Sequence, residues 1–227
     1  MIMKRPDSLT NANSAHKNLK SLLDTITERR SVRRFRQDGI TDADLRTLVF
    51  AATRAPSGGN MQPWFFTIVK NQHLKDRLAS VILQNVNELN QSDLFFRKAT
   101  KSIRKYSTFF KNAPIVIAVL VKLYDRTYID SIVKFMNVDA FEAVHLLGFA
   151  EVQSVAAAIE NLLLVAHAMD YGACWMRVPF CSKNNLEREL GVEKPWHLLA
   201  FIPIGLPDEK PKAIARKAVE EVMKIIE

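Results

Sequence analysis

The chain has 227 residues, of which 48% are hydrophobic and 25% are charged, with seven glycines and a formal net charge of +8. This composition excludes an intrinsically disordered chain and favours one globular, fairly helical domain. The positive charge favours an anionic partner, such as nucleic acid, a membrane surface or a phosphorylated ligand, without choosing among them.

The two cysteines and the first residues indicate a compartment. Cys174 and Cys181 form neither a CxxC pair nor a Cys/His cluster, so we expect reduced thiols and no metal site. Residues 1–15 lack the apolar run of a signal peptide, and no stretch reaches the roughly 18 apolar residues of a membrane span. We expect a cytoplasmic protein without membrane association, in which 1–25 form an arm and a short helix.

The first half of the chain predicts helices around one strand. Leucine and isoleucine recur at helical spacing over 16–26, and Thr41 is a predicted N-cap of a helix that ends near Ala55. Residues 64–69, WFFTIV, are aromatic and β-branched, which predicts a buried strand. A further helix is predicted over 74–83.

The stretch 84–111 is polar, basic and weakly periodic, and it is longer than an ordinary connection. One interpretation is a lid, or mobile helical excursion, that carries function. The other is a solvated helix pair that covers the core. Its basic residues are Arg97, Lys98, Lys101, Arg104 and Lys105.

The second half begins with a very apolar strand and a very apolar helix. Residues 114–121, PIVIAVLV, predict a central strand covered on both faces. The run 151–169 is apolar nearly all round, which predicts a buried helix, at a subunit interface in one interpretation. His167 on this helix fits a core histidine better than a catalyst.

Two strands and two helices are predicted in the remainder of the chain. The strands cover 173–178 and 197–204, and Pro203 in the second marks an edge or a bulge. The helices cover 184–190 and 219–226. No internal repeat or clear linker divides the chain.

Two stretches carry the candidate chemistry. Residues 29–35, RRSVRRF, place four guanidinium groups within six residues beside the Ser31 hydroxyl. Arginine forks fit phosphate oxygens in pairs, which favours a phosphate cradle, although a solvated basic face is the alternative. Residues 55–64, APSGGNMQPW, place small residues before a strand, where Asn60 and Gln62 could hydrogen-bond a flat ligand. An ordinary helix-to-strand turn is the alternative there.

The usual catalytic motifs do not occur in the sequence. It contains no Ser/His/Asp arrangement, HExxH, Walker loop or GxGxxG, so hydrolase, metalloprotease and nucleotide triphosphatase chemistry lacks support. No catalytic side chain is assigned, and an enzyme of this kind would need a cofactor. A flavin suits that need, because its ring performs hydride transfer while the protein supplies orientation.

Four segments, taken in chain order, resemble the FMN-dependent nitroreductase family over 26–222. They are RRSVRRF, APSGGNMQPW, AAAIENLLLVAHAMDYGACW and FIPIGLP. The resemblance implies an α+β nitroreductase-like fold with a central mixed β-sheet flanked by helices, in one domain over 26–227. It also implies a homodimer that holds two FMN molecules at its interface. The implied activity is that of an NAD(P)H-dependent flavin oxidoreductase, which passes hydride by a ping-pong mechanism to a nitroaromatic, quinone or similar flat small molecule.

The resemblance also implies cofactor contacts at matching positions. They are Arg29, Arg30, Ser31 and Arg33, then Pro56, Ser57, Gly58 and Asn60, and then Trp175, Met176 and Arg177. Gln62 is assigned to the same site, and Arg216 matches a basic residue that closes on the phosphate. The residue that faces flavin N5 is left open.

Iodotyrosine deiodinases, within the same family, supply the alternative of reductive dehalogenation. The resemblance implies a lid glutamate and tyrosine, whereas Glu88 has no tyrosine after it until Tyr106. It also implies a threonine hydroxyl at flavin N5, whereas 174–179 contain no Ser or Thr. We therefore prefer two-electron hydride transfer.

A basic nucleic-acid-binding module is the alternative from another class. It would use the clusters over 29–36 and 97–105 against phosphate backbones. Such modules interleave exposed aromatic residues with basic ones, whereas most aromatic residues here fall in predicted core strands. We expect no nucleic-acid partner.

Overall fold

The computed structural model of the chain describes residues 14–92, 104, 106–124, 126–139, 141–143 and 148–227. The helices are α1 (Ser14–Glu28), α2 (Asp42–Ala52), α3 (Gln72–Ser92), α4 (Arg126–Met136), α5 (Ala150–Ala168) and α6 (Lys183–Glu189). The strands are β1 (Trp64–Val69), β2 (Ile115–Lys122), β3 (Gly172–Ala173), β4 (Met176–Arg177) and β5 (Trp196–Gly205). Short 3-10 turns lie at Gly58–Asn60, Phe109–Asn112, Phe180–Ser182 and Val219–Glu221.

The strands form one five-stranded sheet in the order β1-β2-β5-β3, with β4 also paired to β5. The ladders between these strands are antiparallel. The sheet is therefore antiparallel among its five strands and not mixed as predicted; Ser31 adds an isolated parallel bridge to Ala173 at its edge. Helices flank this sheet, which confirms the predicted α+β class.

Strand β2 lies at the centre because its side chains supply two apolar cores on opposite faces of the sheet. Ile117 and Val119 face a core closed by α2 and α5. Val116 and Ala118 face a second core, closed by α3 and α6. Seven of its eight residues are buried, which confirms the prediction of a strand covered on both faces.

Helices α2 and α5 form much of the first core. The Thr41 hydroxyl accepts the Asp44 N–H at 3.1 Å, so the predicted N-cap of α2 is confirmed. Helix α5 is fully buried along one side only and most of its other residues are half-buried, so the burial predicted nearly all round it is confirmed in part. The buried residues of α5 are Ser154, Val155, Ala158, Ile159, Leu162, Leu163 and Ala166.

Helix α3 is longer than its prediction over 74–83, and this changes the interpretation of 84–111. Val86 on α3 is fully buried, and so is Phe110 near the end of the stretch. Both ends of 84–111 therefore belong to the packed structure. Residues 93–103 lie outside the described residues, so the lid interpretation now concerns that central part.

A buried lysine fixes the return of the chain to β2. Lys75 on α3 donates from Nζ to the carbonyls of Ala113 and Pro114, at 2.5 and 3.0 Å. Burial lowers the pKa of the Lys75 ammonium group, because the charged form loses hydration. The two carbonyls satisfy that group inside the core.

The predicted strand over 173–178 is interrupted at Trp175, so that β3 and β4 pair separately with β5. Strand β5 consequently has neighbours on both sides, and the edge or bulge predicted at Pro203 is wrong. The Cys174 N–H donates to the Pro203 carbonyl at 3.2 Å. The N–H and the carbonyl of a residue in an antiparallel strand point to the same side. The N–H that Pro203 lacks would therefore face the interruption between β3 and β4. The bulge of β5 lies at Leu199 instead.

The helix predicted over 219–226 is also wrong. A 3-10 turn forms at Val219–Glu221, and every residue from Lys212 onward is exposed. A segment this short is marginal as an isolated helix, because helices gain most of their stability from packing. Ile225 and Ile226 are 73% and 84% exposed, so no apolar surface of the described chain covers them.

Candidate functional site

The arginine segment, residues 29–36, lies between two other stretches of the chain. On one side, the Val32 N–H donates to the Ala173 carbonyl at 3.0 Å. On the other, the Arg36 N–H donates to the Leu206 carbonyl at 2.9 Å. Val32 is buried and the arginines that follow it are exposed, so the backbone is held while the guanidinium groups face outward.

Two glycines allow this close approach. A Cβ atom at Gly172 would lie 2.8 Å from three side-chain carbons of Val32. A Cβ atom at Gly205 would lie 2.6 Å from Pro114 and 3.3 Å from Phe35. Any larger residue at either position would push the arginine segment away from the sheet.

Glu209, which sequence reasoning missed, binds the backbone of the arginine segment. Its carboxylate accepts the N–H groups of Arg33 at 2.6 Å and Arg34 at 3.1 Å, and Arg34 Nε at 3.3 Å. Burial on its own would raise the pKa of Glu209, but these hydrogen bonds hold the pKa below its usual value. The carboxylate therefore stabilises the fold in its charged form.

Replacing Glu209 by glutamine should destabilise the protein by about 1 to 2 kcal/mol at pH 7, the scale of a charge-assisted hydrogen bond. Because the folded pKa is depressed, this stabilisation is present above the ordinary glutamate pKa of about 4.3 and is lost as pH falls toward the folded pKa. Urea denaturation at pH 7 and at pH 3.5 should show the difference shrinking at low pH. Asp38→Asn is the control at an exposed acid. A difference that persists unchanged at pH 3.5 would contradict this role.

The guanidinium groups differ in how many of their donors are used. Arg29 Nε is buried and lies 3.3 Å from Glu160 Oε1 in an ion pair, yet it makes no hydrogen bond of good geometry. Arg33 is exposed and makes one long contact, of 3.4 Å, to a backbone carbonyl. Arg30 differs, since its Nη1 donates to two backbone carbonyls at 2.7 Å. Arg29 and Arg33 therefore keep donors for an anion.

Arg30 lines a cavity of about 300 Å³ at the ends of α1 and α5. Glu28, Asp170 and Glu209 line the same cavity, as does His167. Lys210 lines it too, but three carboxylates outnumber two cations, so the cavity is a poor place for a phosphate. Of the three arginines predicted to contact the cofactor from residues 29–33, Arg30 is therefore the one that the structure favours least for the phosphate.

The Cys174 thiol, also missed from the sequence, lies against the arginine segment. Burial raises the pKa of this thiol, while the charge of Arg33, a hydrogen bond with Ser31 and the charge of Arg29 oppose the rise. The sulfur is buried, and Ser31 and both arginines lie near enough to affect its pKa. A thiol kept neutral by burial leaves the arginine charges available to a ligand.

The three predicted contact residues that follow Cys174 are not equivalent. Trp175 is 40% exposed at the interruption between β3 and β4, and Arg177 is also exposed. The Met176 side chain packs in the second core, so only the backbone of Met176 could reach a ligand at this edge.

The loop 56–62 has a constrained backbone. Ser57 Oγ accepts the Gln62 N–H at 3.1 Å, and the Asn60 N–H donates to the Ser57 carbonyl at 3.0 Å. Gly59, Asn60 and Gln62 have φ angles of 56°, 54° and 47°, a left-handed conformation that residues other than glycine rarely adopt. The amide groups of Asn60 and Gln62 are exposed and bond to nothing in the described part of the chain, so they are available to a ligand.

Helix α5 connects the loop with the arginine segment. Glu160 pairs with Arg29, and the next residue, Asn161, donates from Nδ2 to the Ala51 carbonyl at 3.3 Å. Ala51 belongs to the end of α2, which leads into the loop. Among the described residues, no hydrogen bond or ion pair joins the loop to the arginine segment directly.

Arg216 is not brought to this site by a single chain. It lies in the exposed tail and makes no contact of hydrogen-bond or ion-pair type with the described residues. Its assignment to the phosphate stays a prediction.

The available donors fit the phosphate of FMN in their chemistry. A phosphate dianion would give Arg29 Nε the hydrogen-bond partner that it lacks, and it would meet the open fork of Arg33. By contrast, no group of three His, Cys, Asp or Glu residues suited to a metal occurs in the part that the structure describes. No helix within those same ranges is long and apolar enough to cross a bilayer.

Comparisons with known proteins agree with this fold. The profile of the Nitroreductase family matches residues 26–206. The iodotyrosine deiodinase of Hydra vulgaris is 25% identical over 206 residues, covering 88% of this chain and 70% of that protein. A BluB-like flavoprotein from Clostridium difficile superposes with a TM-score of 0.80 at 29% identity, over 91% of this chain and 99% of that one. An FMN-dependent nitroreductase of the same species has a TM-score of 0.60 at 19% identity, over 85% and 91% of the two chains.

An antiparallel sheet flanked by helices, with a basic segment bridged to its edge strand, defines an α+β protein with a basic sheet edge. The chain belongs to the Nitroreductase family, an oxidoreductase and flavoprotein family. The nitroreductase-like fold and the family predicted from the sequence are thereby confirmed.

Proposed function

We propose that the protein is an FMN-dependent oxidoreductase that transfers hydride from NAD(P)H to a nitroaromatic, quinone or similar flat acceptor. The observation that carries the proposal is the arginine segment, bridged to the edge of the sheet with unused donors on Arg29 and Arg33. On a solvated basic face, each guanidinium nitrogen could hydrogen-bond water. Arg29 Nε is instead buried and has no hydrogen bond within the described residues, which a solvated face does not explain.

The residues around this segment have distinct proposed roles. Arg29 and Arg33 bind the phosphate, and the Ser31 hydroxyl adds a neutral donor. The free amides of Asn60 and Gln62 bind polar edges of the cofactor without adding charge. When bound, FMN supplies hydride transfer between reductant and acceptor.

A homodimer is part of the proposal, because one protomer leaves much apolar surface uncovered. Leu22 and Ile26 on α1 are 52% and 46% exposed, and the tail exposes Ile214, Ile225 and Ile226 further. Contiguous apolar surface on a soluble protein commonly marks an interface. A second copy could cover both regions and complete the site.

The purified protein should contain FMN, and NADH or NADPH should reduce it. We expect reductant and acceptor to use the same space in turn, so initial rates at several fixed acceptor concentrations should give parallel double-reciprocal lines. Converging lines would contradict the shared space. A colourless protein that takes up no FMN would contradict the proposed function as a whole.

Reductive dehalogenation stays the alternative, because the Hydra vulgaris relative is named an iodotyrosine deiodinase. The edge residues Trp175, Met176 and Arg177 provide no hydroxyl, which supports hydride transfer instead. Adding iodotyrosine to the acceptors tested would discriminate the two. Iodide release faster than the reduction of every quinone and nitroaromatic would favour the alternative.

A further inference from the structure

Tyr124 has a buried hydroxyl group for which the described part of the chain offers no partner. Tyr124 follows β2, and its Oη atom is shielded from solvent but makes no hydrogen bond with any described residue. A buried polar group in this state is unfavourable, because it has lost its hydrogen bonds to water without replacing them. The structure therefore holds an unused donor that the proposed roles above do not explain.

Gly58 lies directly against this hydroxyl. A Cβ atom at Gly58 would lie 3.0 Å from Tyr124 Oη and 4.0 Å from Tyr124 Cζ. Gly58 begins the 3-10 turn of the loop 56–62, in which the family resemblance implies cofactor contacts. The loop therefore lies against the hydroxyl.

The same loop stores backbone strain. Asn60 and Gln62 hold left-handed φ angles of 54° and 47° without being glycine. Strained backbone of this kind persists at ligand sites, where binding can change it. The strain lies at Asn60 and Gln62 and the contact with the hydroxyl at Gly58, so two separate observations fall on one short loop.

We propose that the Tyr124 hydroxyl is a ligand contact of the flavin site. When FMN binds against the loop, the turn at Gly58 moves off the hydroxyl, which then hydrogen-bonds the bound FMN. This inference rests on the proposed function, since its ligand is FMN. It adds a residue outside both sequence motifs and explains why position 58 has no side chain.

Replacing Tyr124 by phenylalanine separates a ligand contact from a structural one. We expect the melting temperature of the FMN-free protein to stay unchanged or to rise, because an unpaired buried hydroxyl is removed. We expect the dissociation constant for FMN to rise about tenfold, the equivalent of one hydrogen bond. Fluorescence titration with FMN and thermal melts with and without FMN give both quantities.

Tyr171 provides a matched comparison, since its hydroxyl has a partner. It donates to Asp44 Oδ2 at 2.8 Å, so Tyr171→Phe should lower the melting temperature of the FMN-free protein and leave FMN affinity unchanged. If Tyr124→Phe behaves in this way, or changes neither quantity, the proposal is wrong. If the unaltered protein takes up no FMN, the proposed function fails together with the inference, which is a distinguishable result.

A double substitution tests the contact with Gly58. Gly58→Ala should lower the melting temperature of the FMN-free protein, because the new Cβ meets the hydroxyl at 3.0 Å before the turn has moved. Adding Tyr124→Phe removes that atom and should restore part of the melting temperature lost through the alanine. Gly39→Ala, where nothing lies within 4 Å, is the control and should melt as the unaltered protein does. If Tyr124→Phe raises the melting temperature of the Gly58→Ala protein no more than that of the unaltered protein, the proposed movement of the turn is wrong.

Discussion

Replacing Arg29 by alanine should weaken FMN binding by about 10- to 150-fold, the equivalent of 1.5 to 3 kcal/mol for hydrogen bonds to a charged group. The expectation follows from the buried Nε atom, which lies 3.3 Å from the Glu160 carboxylate but makes no well-aligned hydrogen bond with any described residue. The FMN-free protein should lose little stability, because the ion pair with Glu160 is partly exposed and such pairs contribute about 0 to 1 kcal/mol. Fluorescence titration and thermal melts measure the two effects.

Two further variants test the assignment of Arg29 to the FMN phosphate. Lysine keeps the charge but not the planar fork of donors. The FMN affinity of Arg29→Lys should therefore fall between that of the alanine variant and that of the unaltered protein. Arg36→Ala removes the same charge from an exposed position of the arginine segment and should change FMN affinity less than twofold. An Arg29→Ala protein that binds FMN as tightly as the Arg36→Ala protein would mean that the phosphate lies elsewhere.

Local sequence patterns were sufficient where neighbouring residues decide the structure. Strand β1 begins and ends at the predicted residues, because an aromatic and β-branched run is bounded by Pro63 and Lys70. The Thr41 cap needs only Asp44, three residues later. The arginine segment was found for the same reason, since its charges are adjacent in the chain.

The missed residues owe their roles to distant contacts. Glu209 binds the Arg33 backbone across 176 positions of sequence, and no local pattern marks that pairing. Its nearest sequence signal was the run FIPIGLP, which ends two residues earlier. Cys174 and Tyr124 likewise matter through burial, which a single sequence does not display.

The helix errors have one physical cause, which is that packing overrides local composition. Helix α3 continues through a polar stretch because Val86 reaches the second core. The tail has the helical spacing of apolar residues, yet within the described chain it has no surface to pack on and forms only a short 3-10 turn. In the proposed homodimer, Val222, Met223 and Ile226 are candidates for burial against the partner subunit.

Replacing residues 93–103 by a glycine and serine stretch of equal length should preserve the fold and FMN while changing the choice of acceptor. The stretch carries Arg97, Lys98 and Lys101, which attract anions, so the kcat/KM ratio of an anionic to a neutral acceptor should fall about tenfold. Flavin content, melting temperature and kcat/KM for one acceptor of each charge are the measurements. Exchanging only the three basic residues for glutamine should give the same change if charge is the cause.

Deleting all of 84–111 should instead unfold the protein, because the ends of that stretch are core. The deletion removes Val86 and Phe110, both fully buried, and truncating a core phenylalanine alone costs about 3 to 5 kcal/mol. Domains are stable by only about 5 to 15 kcal/mol, so this loss is not tolerated. If the replacement of 93–103 also abolishes fold and flavin, the solvated helix pair is the correct interpretation. If the protein with 93–103 replaced keeps its fold and its flavin, and its kcat/KM ratio of anionic to neutral acceptor is unchanged, the stretch does not select the acceptor. The lid hypothesis then fails.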